Sequence, residues 1–487
     1  MCQVGEDDHE LLQRAEVVSK KCVKCKEATA AVVIRAGDAF CRGCFKEYFI
    51  HKFRAMLGKN RVLFPGEKVL LAVSGGPSSC SMLAQVQEVN VVCLHQRKGG
   101  AVGQSLEDRR RMAAELQAVF KATGFPFLVV PLEQVLDLPS SVVAAAPAPS
   151  ERAAGVYKKA VGRFIQRDGG GRQAPLEREE TPLADVPECR TLLLQQLVGS
   201  AKTLTAREDL LNTLRQHLLV HTARTEGYSK VMLGDSCTRL AVKLLTSISL
   251  GRGAQLAQDT GFSDSRYGDI VLVRPMRDYS AKEIAYYNRM FSVPSVFIPG
   301  LDTKTRDKSS IQRLTESFVT KLQADFPSTV SAIYRTSEKL QTACTSSSSA
   351  DHGDRCLLCM CALDTAAENA SAFKATLISE QLSQKKPPGA PSNALSLFMV
   401  YYANECTGLA HLNSNWAVLC SREPESSDLR RLLCYSCQLT IRDMSSVDRL
   451  PVYILSEAQR RLRRSQMREQ IGEFLLDQGD EGDQRMT

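Results

Sequence analysis

Eight of the 17 cysteines in this chain fall into four Cys-x-x-Cys pairs: Cys22/Cys25, Cys41/Cys44, Cys356/Cys359 and Cys434/Cys437. Two such turns facing each other bring four sulfur atoms to tetrahedral positions, which is what a structural zinc ion requires. Fifteen residues separate the first two pairs, a spacing within the range of a zinc knuckle. Cys22, Cys25, Cys41 and Cys44 are therefore expected to hold zinc. The second two pairs stand 74 residues apart, so their grouping is an inference from residue type. Cys361, His352 and His411 lie in the same region. Other ligand sets stay open there, and so does the choice between zinc, an iron–sulfur cluster and no metal.

A second kind of chemistry is suggested by a turn. Ser74, Gly75, Gly76, Pro77, Ser78 and Ser79 follow the apolar run 68–73 and precede a helical pattern. Two glycines let the backbone approach an anion, while serine hydroxyls and exposed helix N–H groups supply donors. A tight turn without a ligand is the plainer alternative. A related turn, Gly234-Asp235-Ser236-Cys237-Thr238-Arg239, follows the strand-like run 230–233. A thiol at a helix start can have a lowered pKa, which makes Cys237 a catalytic candidate, although a filler thiol is the commoner outcome. Cys80, Cys93 and Cys189 carry no motif. His217 and His221 have the i, i+4 spacing of a metal pair, but they share a face with Leu210, Leu214 and Leu218. That company favours a packed, hydrogen-bonded role.

These residues need elements to hold them. Apolar runs at 68–73, 89–94 and 127–131, with a polar helical stretch at 105–122, alternate strand and helix in the manner of a parallel sheet. Only about ten residues separate the glycine turn from the next run, near the minimum for a crossover, so the second strand is expected to be unusual or partly missing. Thr205-Ala-Arg-Glu208 has the form of a capping box opening a helix to about residue 226, with Gly227 beyond its end. Ser236 is placed to cap a further helix, and another starts at about Ser280. The reading is an α/β protein in three parts. A zinc-binding unit and basic helix occupy 1–61. An α/β domain occupies 62–340, with flexible Ala/Pro/Ser- and Gly-rich insertions at 138–155 and 168–188. A C-terminal Cys-x-x-Cys region occupies 341–487, with a linker at 384–393 and an acidic tail.

Ser-Gly-Gly-x-Ser-Ser after a first strand resembles the pyrophosphate loop (PP-loop) of ATP pyrophosphatases, whose usual form is Ser-Gly-Gly-x-Asp-Ser. The likeness continues at Gly234-Asp-Ser-Cys-Thr-Arg-Leu-Ala241 and at Arg274-Pro-Met-Arg277 followed by Lys282-Glu-Ile284. With Lys21-Cys-Val-Lys-Cys-Lys-Glu27, Phe53-Arg-Ala-Met-Leu-Gly-Lys-Asn-Arg61, Phe291-Ser-Val-Pro-Ser-Val-Phe297 and Cys356-Leu-Leu-Cys-Met-Cys-Ala362, the chain is most similar to the cytoplasmic tRNA 2-thiolation protein 2 family. That resemblance implies a PP-loop-like parallel sheet with a zinc-ribbon-like unit before it. It also implies a part in 2-thiolation of the wobble uridine of tRNAs for Lys, Glu and Gln. The partner would be a catalytic PP-loop paralogue, which takes sulfur from a thiocarboxylated ubiquitin-related modifier.

The departures from the enzyme pattern bear on chemistry. Ser78 replaces the loop aspartate, and Thr238 and Arg239 replace paired aspartates. Carboxylates hold the magnesium that bridges ATP phosphates, so the losses weigh against ATP and against catalysis in this chain. Arg239 can still meet a phosphate directly. Ser74, Gly75, Gly76, Ser78, Ser79, Asp235 and Arg239 then stand as the remnant of a nucleotide site. An active ATP-dependent tRNA sulfurtransferase and a zinc-containing scaffold without nucleotide are the alternatives.

The formal charge of +8 is not evenly spread. Residues 42–61 carry net +5 and residues 456–468 net +4, so the remainder is close to neutral. A globally basic protein is excluded. In the first window Phe45, Tyr48, Phe49, Phe53 and Met56 recur at helical spacing and are expected to be buried. Lys46, Lys52, Arg54, Lys59 and Arg61 are expected to face solvent and a tRNA backbone. The second window either extends this surface or is a solvated helix. No apolar run approaches the ~18 residues of a membrane helix, and the acidic N-terminus lacks the features of a signal peptide. A cytoplasmic setting without membrane contact, where thiols stay reduced, is expected.

Overall fold

A computed structural model describes residues 20–34, 37–64, 67–86, 91–144, 186–301, 309–339, 355–363 and 426–471. The linker at 384–393, the acidic tail, His352, His411 and most of both expected insertions lie outside these residues.

Two short antiparallel strands, β1 (Val32–Val33) and β2 (Ala39–Phe40), form a hairpin beside the first cysteine pairs. It leads into helix α1 (Arg42–Asn60). Among the described residues the main sheet has six strands: β3 (Val69–Ala72), β4 (Val91–Arg97), β5 (Phe127–Pro131), β6 (Lys230–Leu233), β7 (Ser263–Asp264) and β8 (Val271–Val273). Their order is β5-β4-β3-β6-β8-β7, and every pairing is parallel except β7 with β8. The chain starts in the middle, winds outward through β4 and β5, then returns to lay β6 on the other side of β3. A doubly wound sheet binds ligands at the carboxyl ends of the two strands where the winding reverses, here β3 and β6. This is the PP-loop-type α/β architecture that the resemblance implies.

Helices cover both faces because the central strands are apolar on both sides. Val69, Leu71 and Val73 pack into one core with α1, α2 (Pro77–Gln85), α3 (Leu106–Thr123) and α8 (Ala281–Met290). Leu70, between them, points the other way. It joins a second core with α4 (Glu188–Ser200), α5 (Leu204–Thr225) and the C-terminal helices. Helices α6 (Cys237–Ser249), α7 (Leu256–Thr260), α9 (Ile311–Asp325) and α10 (Pro327–Lys339) complete the α/β part. Beyond it lie α11 (Ser426–Arg431), α12 (Tyr435–Arg442) and α13 (Val452–Ile471).

Several expectations are corrected. The strand after the glycine turn is complete: β4 has seven residues and pairs with both β3 and β5, because nine-residue α2 is long enough to make the crossover. Helix α5 starts two residues earlier than the capping box implied: Thr203 is the N-cap and accepts from Ala206 N–H, while the Thr205 hydroxyl accepts from Ile311 N–H at 3.2 Å. Residues 138–143, assigned to a flexible insertion on composition, are anchored by Leu138, Val142 and Val143, all buried in the second core. Leu357, Leu358, Leu429, Leu433, Tyr453 and Ile454 share that core, so the described C-terminal residues are built into the body of the fold. Gly227 and Ser236 cap as expected, and Ser280 forms a full capping box with Glu283.

Candidate functional site

The turns after β3 and β6 meet at the reversal point. Gly75 adopts φ +87°, which glycine alone takes without strain. A Cβ on Gly234 would lie 2.8 Å from Ser79 Cα, so glycine is required for the second turn to touch the first helix. The Ser78 hydroxyl donates to the Gly234 carbonyl oxygen. Ser79 donates to the Gly76 carbonyl at 3.0 Å and lies 3.2 Å from the Ser74 hydroxyl. The sequence-predicted turn residues are thus brought together, but their hydroxyls bond to the protein itself. Thr238 is used likewise: its oxygen accepts from Ala281 N–H at 3.1 Å and lies 3.2 Å from Gln323 Oε1.

Asp235 is the carboxylate of the second turn, and cations surround it. Arg274 Nε stands 3.5 Å from one oxygen and Arg239 Nε 3.4 Å from the other. Burial opposes the charge on Asp235, yet Arg239, Arg274, Lys243 and Arg215 outweigh it and hold the pKa below the ordinary value. Arg274 is almost wholly buried; it donates to the Gly261 carbonyl at 3.0 Å and lies 3.6 Å from Asp264. Arg266 continues the network to Asp259 and Asp264. The sequence marked Asp235, Arg239 and Arg274 singly but not the cluster they form, because its members belong to four separate segments. Cys237 packs with Leu240, Ala241, Val319, Val330 and Tyr334. Burial pushes its thiol up to about 11, opposite to the lowering a reactive thiol needs.

Both cysteine quartets assemble. In each, the four sulfur atoms lie within 4.8 Å of one another, with Cys25 and Cys41 sulfurs 4.0 Å apart and Cys359 and Cys434 sulfurs 3.6 Å apart. A tetrahedron with metal–sulfur bonds of about 2.3 Å has edges of about 3.8 Å, so the donor sets fit a metal ion. Cys361 stays outside its quartet, with Arg266 Nη1 3.0 Å from its sulfur. His217 is not a metal ligand. Its Nε2–H donates to the Leu358 carbonyl at 2.7 Å, and Nδ1 lies 2.7 Å from the Tyr453 hydroxyl, which must then donate. The helix α5 histidine thereby holds the Cys356–Cys359 turn against α13.

On α1, Phe45, Phe49, Phe53 and Met56 are buried as expected, and Phe49 stacks on Tyr287 at 4.0 Å; Tyr48 is only half-buried, its hydroxyl donating to Glu283 at 3.2 Å. Lys46, Arg54, Lys59 and Arg61 are on the exposed side. Lys52 is not among them. It bonds the buried Glu283 carboxylate at 2.7 Å and lies over the Tyr279 ring at 4.6 Å. Glu283 closes the Ser280 capping box, and its second partner, Lys52, stands 231 residues away, beyond the reach of local pattern. The second basic window is partly structural too: Arg460 and Arg461 clamp the buried Glu457, and Arg461 reaches the Val143 carbonyl at 2.6 Å. Among the described residues no helix is long and apolar enough to cross a membrane.

The family described as cytoplasmic tRNA 2-thiolation protein 2 matches residues 310–439. A zebrafish (Danio rerio) protein of that name is 53% identical over 98% of this chain and 99% of its own length. The Homo sapiens protein of that name is 49% identical over 99% of each. Among solved structures, a U34-tRNA thiolase of Methanococcus maripaludis with its 4Fe-4S cluster matches 66% of this chain and 87% of its own. At 14% identity and a TM-score of 0.43, that likeness bears no weight. Half-identity sustained over nearly the whole length does, and the chain belongs to the cytoplasmic tRNA 2-thiolation protein 2 family.

Proposed function

We propose that this chain is the non-catalytic subunit of a cytoplasmic tRNA wobble-uridine 2-thiolation complex, which positions tRNAs for Lys, Glu and Gln. A PP-loop paralogue with an intact Ser-Gly-Gly-x-Asp-Ser adenylates the uridine and receives sulfur from a thiocarboxylated ubiquitin-related modifier. The observation that carries the reading is the state of the turn residues. Ser78 bonds Gly234, Thr238 bonds Ala281, and Asp235 is neutralised by Arg274 and Arg239. A magnesium-bridged ATP needs free carboxylates at that point, so ATP is not a cofactor of this chain.

Zinc in Cys22, Cys25, Cys41 and Cys44 would hold the hairpin and the start of α1. The equally tight C-terminal quartet also supports a single ion, since a four-iron cluster distributes its thiolates over separate irons. Reconstitution with ATP, a sulfur donor and tRNA tests the assignment. The isolated chain should form no 2-thiouridine, and addition of the paralogue should restore it. Thiolation by this chain alone would overturn the reading.

A further inference from the structure

Residues 291–298 form a strap running from α8 across the glycine turn. At one end Phe291 lies beneath Arg42 and Lys46, whose charges stand 5.4 and 5.7 Å from the ring centre. Arg42 also donates to the Met290 carbonyl at 2.8 Å. At the other end Ile298 lines a small cavity with His95, Arg97, Lys98, Arg110 and the ion pair of Arg109 with buried Glu133. Two backbone bonds pin the strap between these ends: Val293 N–H to the Asn288 carbonyl at 3.0 Å and Val296 N–H to the Gly75 carbonyl at 2.9 Å. Ser292 takes the left-handed conformation at φ +51° that turns the chain out of the helix.

Val296 is buried and Ile298 sits against Gly75, whereas Phe297 between them is 75% exposed. A scattered surface apolar residue needs no explanation. This one is aromatic, held on a pinned backbone, and set between two groups of cations. Its exposed neighbours Ser292 and Ser295 are polar. A single exposed ring suits a nucleobase and falls far short of the ~800 Å² per partner of a stable protein interface. Single-strand nucleic-acid sites combine these parts: cations that follow the phosphates and a ring on which a base stacks.

We propose that Phe297 is the stacking platform for an unpaired base of the bound RNA, whose backbone runs between Arg42/Lys46 and the cations at the end of β4. This rests on the tRNA-positioning reading above. Binding of full-length chain to an anticodon stem-loop carrying 2-aminopurine in its loop tests it. Phe297→Ala should weaken binding roughly tenfold and abolish quenching of the probe. Phe297→Trp should retain both, and neither change should alter the melting temperature or the salt slope. Affinity within twofold of wild type for Phe297→Ala would overturn the inference. So would a loss confined to capture of the paralogue, which would mark the ring as a protein contact. A wild-type chain that binds no tRNA would instead remove the positioning reading itself.

Discussion

The Ser78 side chain and the Gly234 main-chain oxygen are hydrogen-bonded, which ties the two turns at the reversal point of the sheet to each other. The residue that bears a carboxylate in the related enzymes is here a hydroxyl donor facing a carbonyl. Ser78→Ala should cost about 1 kcal/mol, the worth of one hydrogen bond. Ser78→Asp should cost more, because an ionised carboxylate has no hydrogen to offer and repels the Gly234 oxygen. Thermal unfolding of the two variants gives the order, and calorimetry with ATP and magnesium should show that Ser78→Asp does not confer nucleotide binding. A variant as stable as wild type would mean that the hydroxyl does not join the turns.

Metal content should be one ion per quartet. Cys44→Ser and Cys434→Ser are each expected to lower it by one equivalent, measured by elemental analysis of the purified chain. The melting temperature should fall further for Cys434→Ser. Its quartet lies in the core that unites α5, α12 and α13, and loss of its ion releases the Cys356–Cys359 turn from Leu210, Leu214 and Ile454. The first quartet anchors only the hairpin and one end of α1.

The two faces of the basic helix should respond differently. Lys46→Glu with Arg54→Glu should weaken tRNA binding and reduce the slope of log affinity against log salt by about 2, at little cost in stability. Lys52→Glu should instead destabilise by about 3–5 kcal/mol, since it sets a second carboxylate against buried Glu283. Filter binding across a salt series, together with denaturant unfolding, separates the outcomes. A Lys52→Glu chain with unchanged stability would refute the structural role.

His95 predicts an acid sensitivity. It is buried with Nδ1 3.0 Å from the Val73 carbonyl oxygen. Burial is the main cause of its pKa falling to about 4, only partly offset by that bond. A base whose folded pKa is depressed contributes fully above the unfolded value near 6.5 and loses that contribution as pH falls towards 4, up to about 3 kcal/mol. His95→Asn keeps a donor for Val73 and cannot titrate, so its stability profile should be flatter between pH 6.5 and 4. Equal slopes would show that His95 is not the group responsible.

Much of the site was legible because it is local. Each Cys-x-x-Cys turn, the Ser-Gly-Gly turn, the Ser236 cap and the buried stripe Phe45, Phe49, Phe53 are set by residues within a few positions of one another. Backbone geometry and hydrophobic period act over that range. Composition misled at 138–143, where three apolar side chains outweigh the surrounding Ala, Pro and Ser. The short crossover misled at β4, where nine helical residues suffice.

The sequence by itself determined which residues could ligate a metal, where a backbone turn could receive an anion, and that this turn carries Ser78 and no carboxylate. Only the tertiary structure decided how those residues are used. Cys356/Cys359 meets Cys434/Cys437 across 74 residues because His217 and the surrounding core hold both segments. Lys52 is drawn from the basic surface by Glu283, and Phe297 is exposed because Val296 is pinned to Gly75. Each depends on contacts between segments distant in the chain, whose closure is driven by burial of the whole core, and no local spacing encodes which partner will be found.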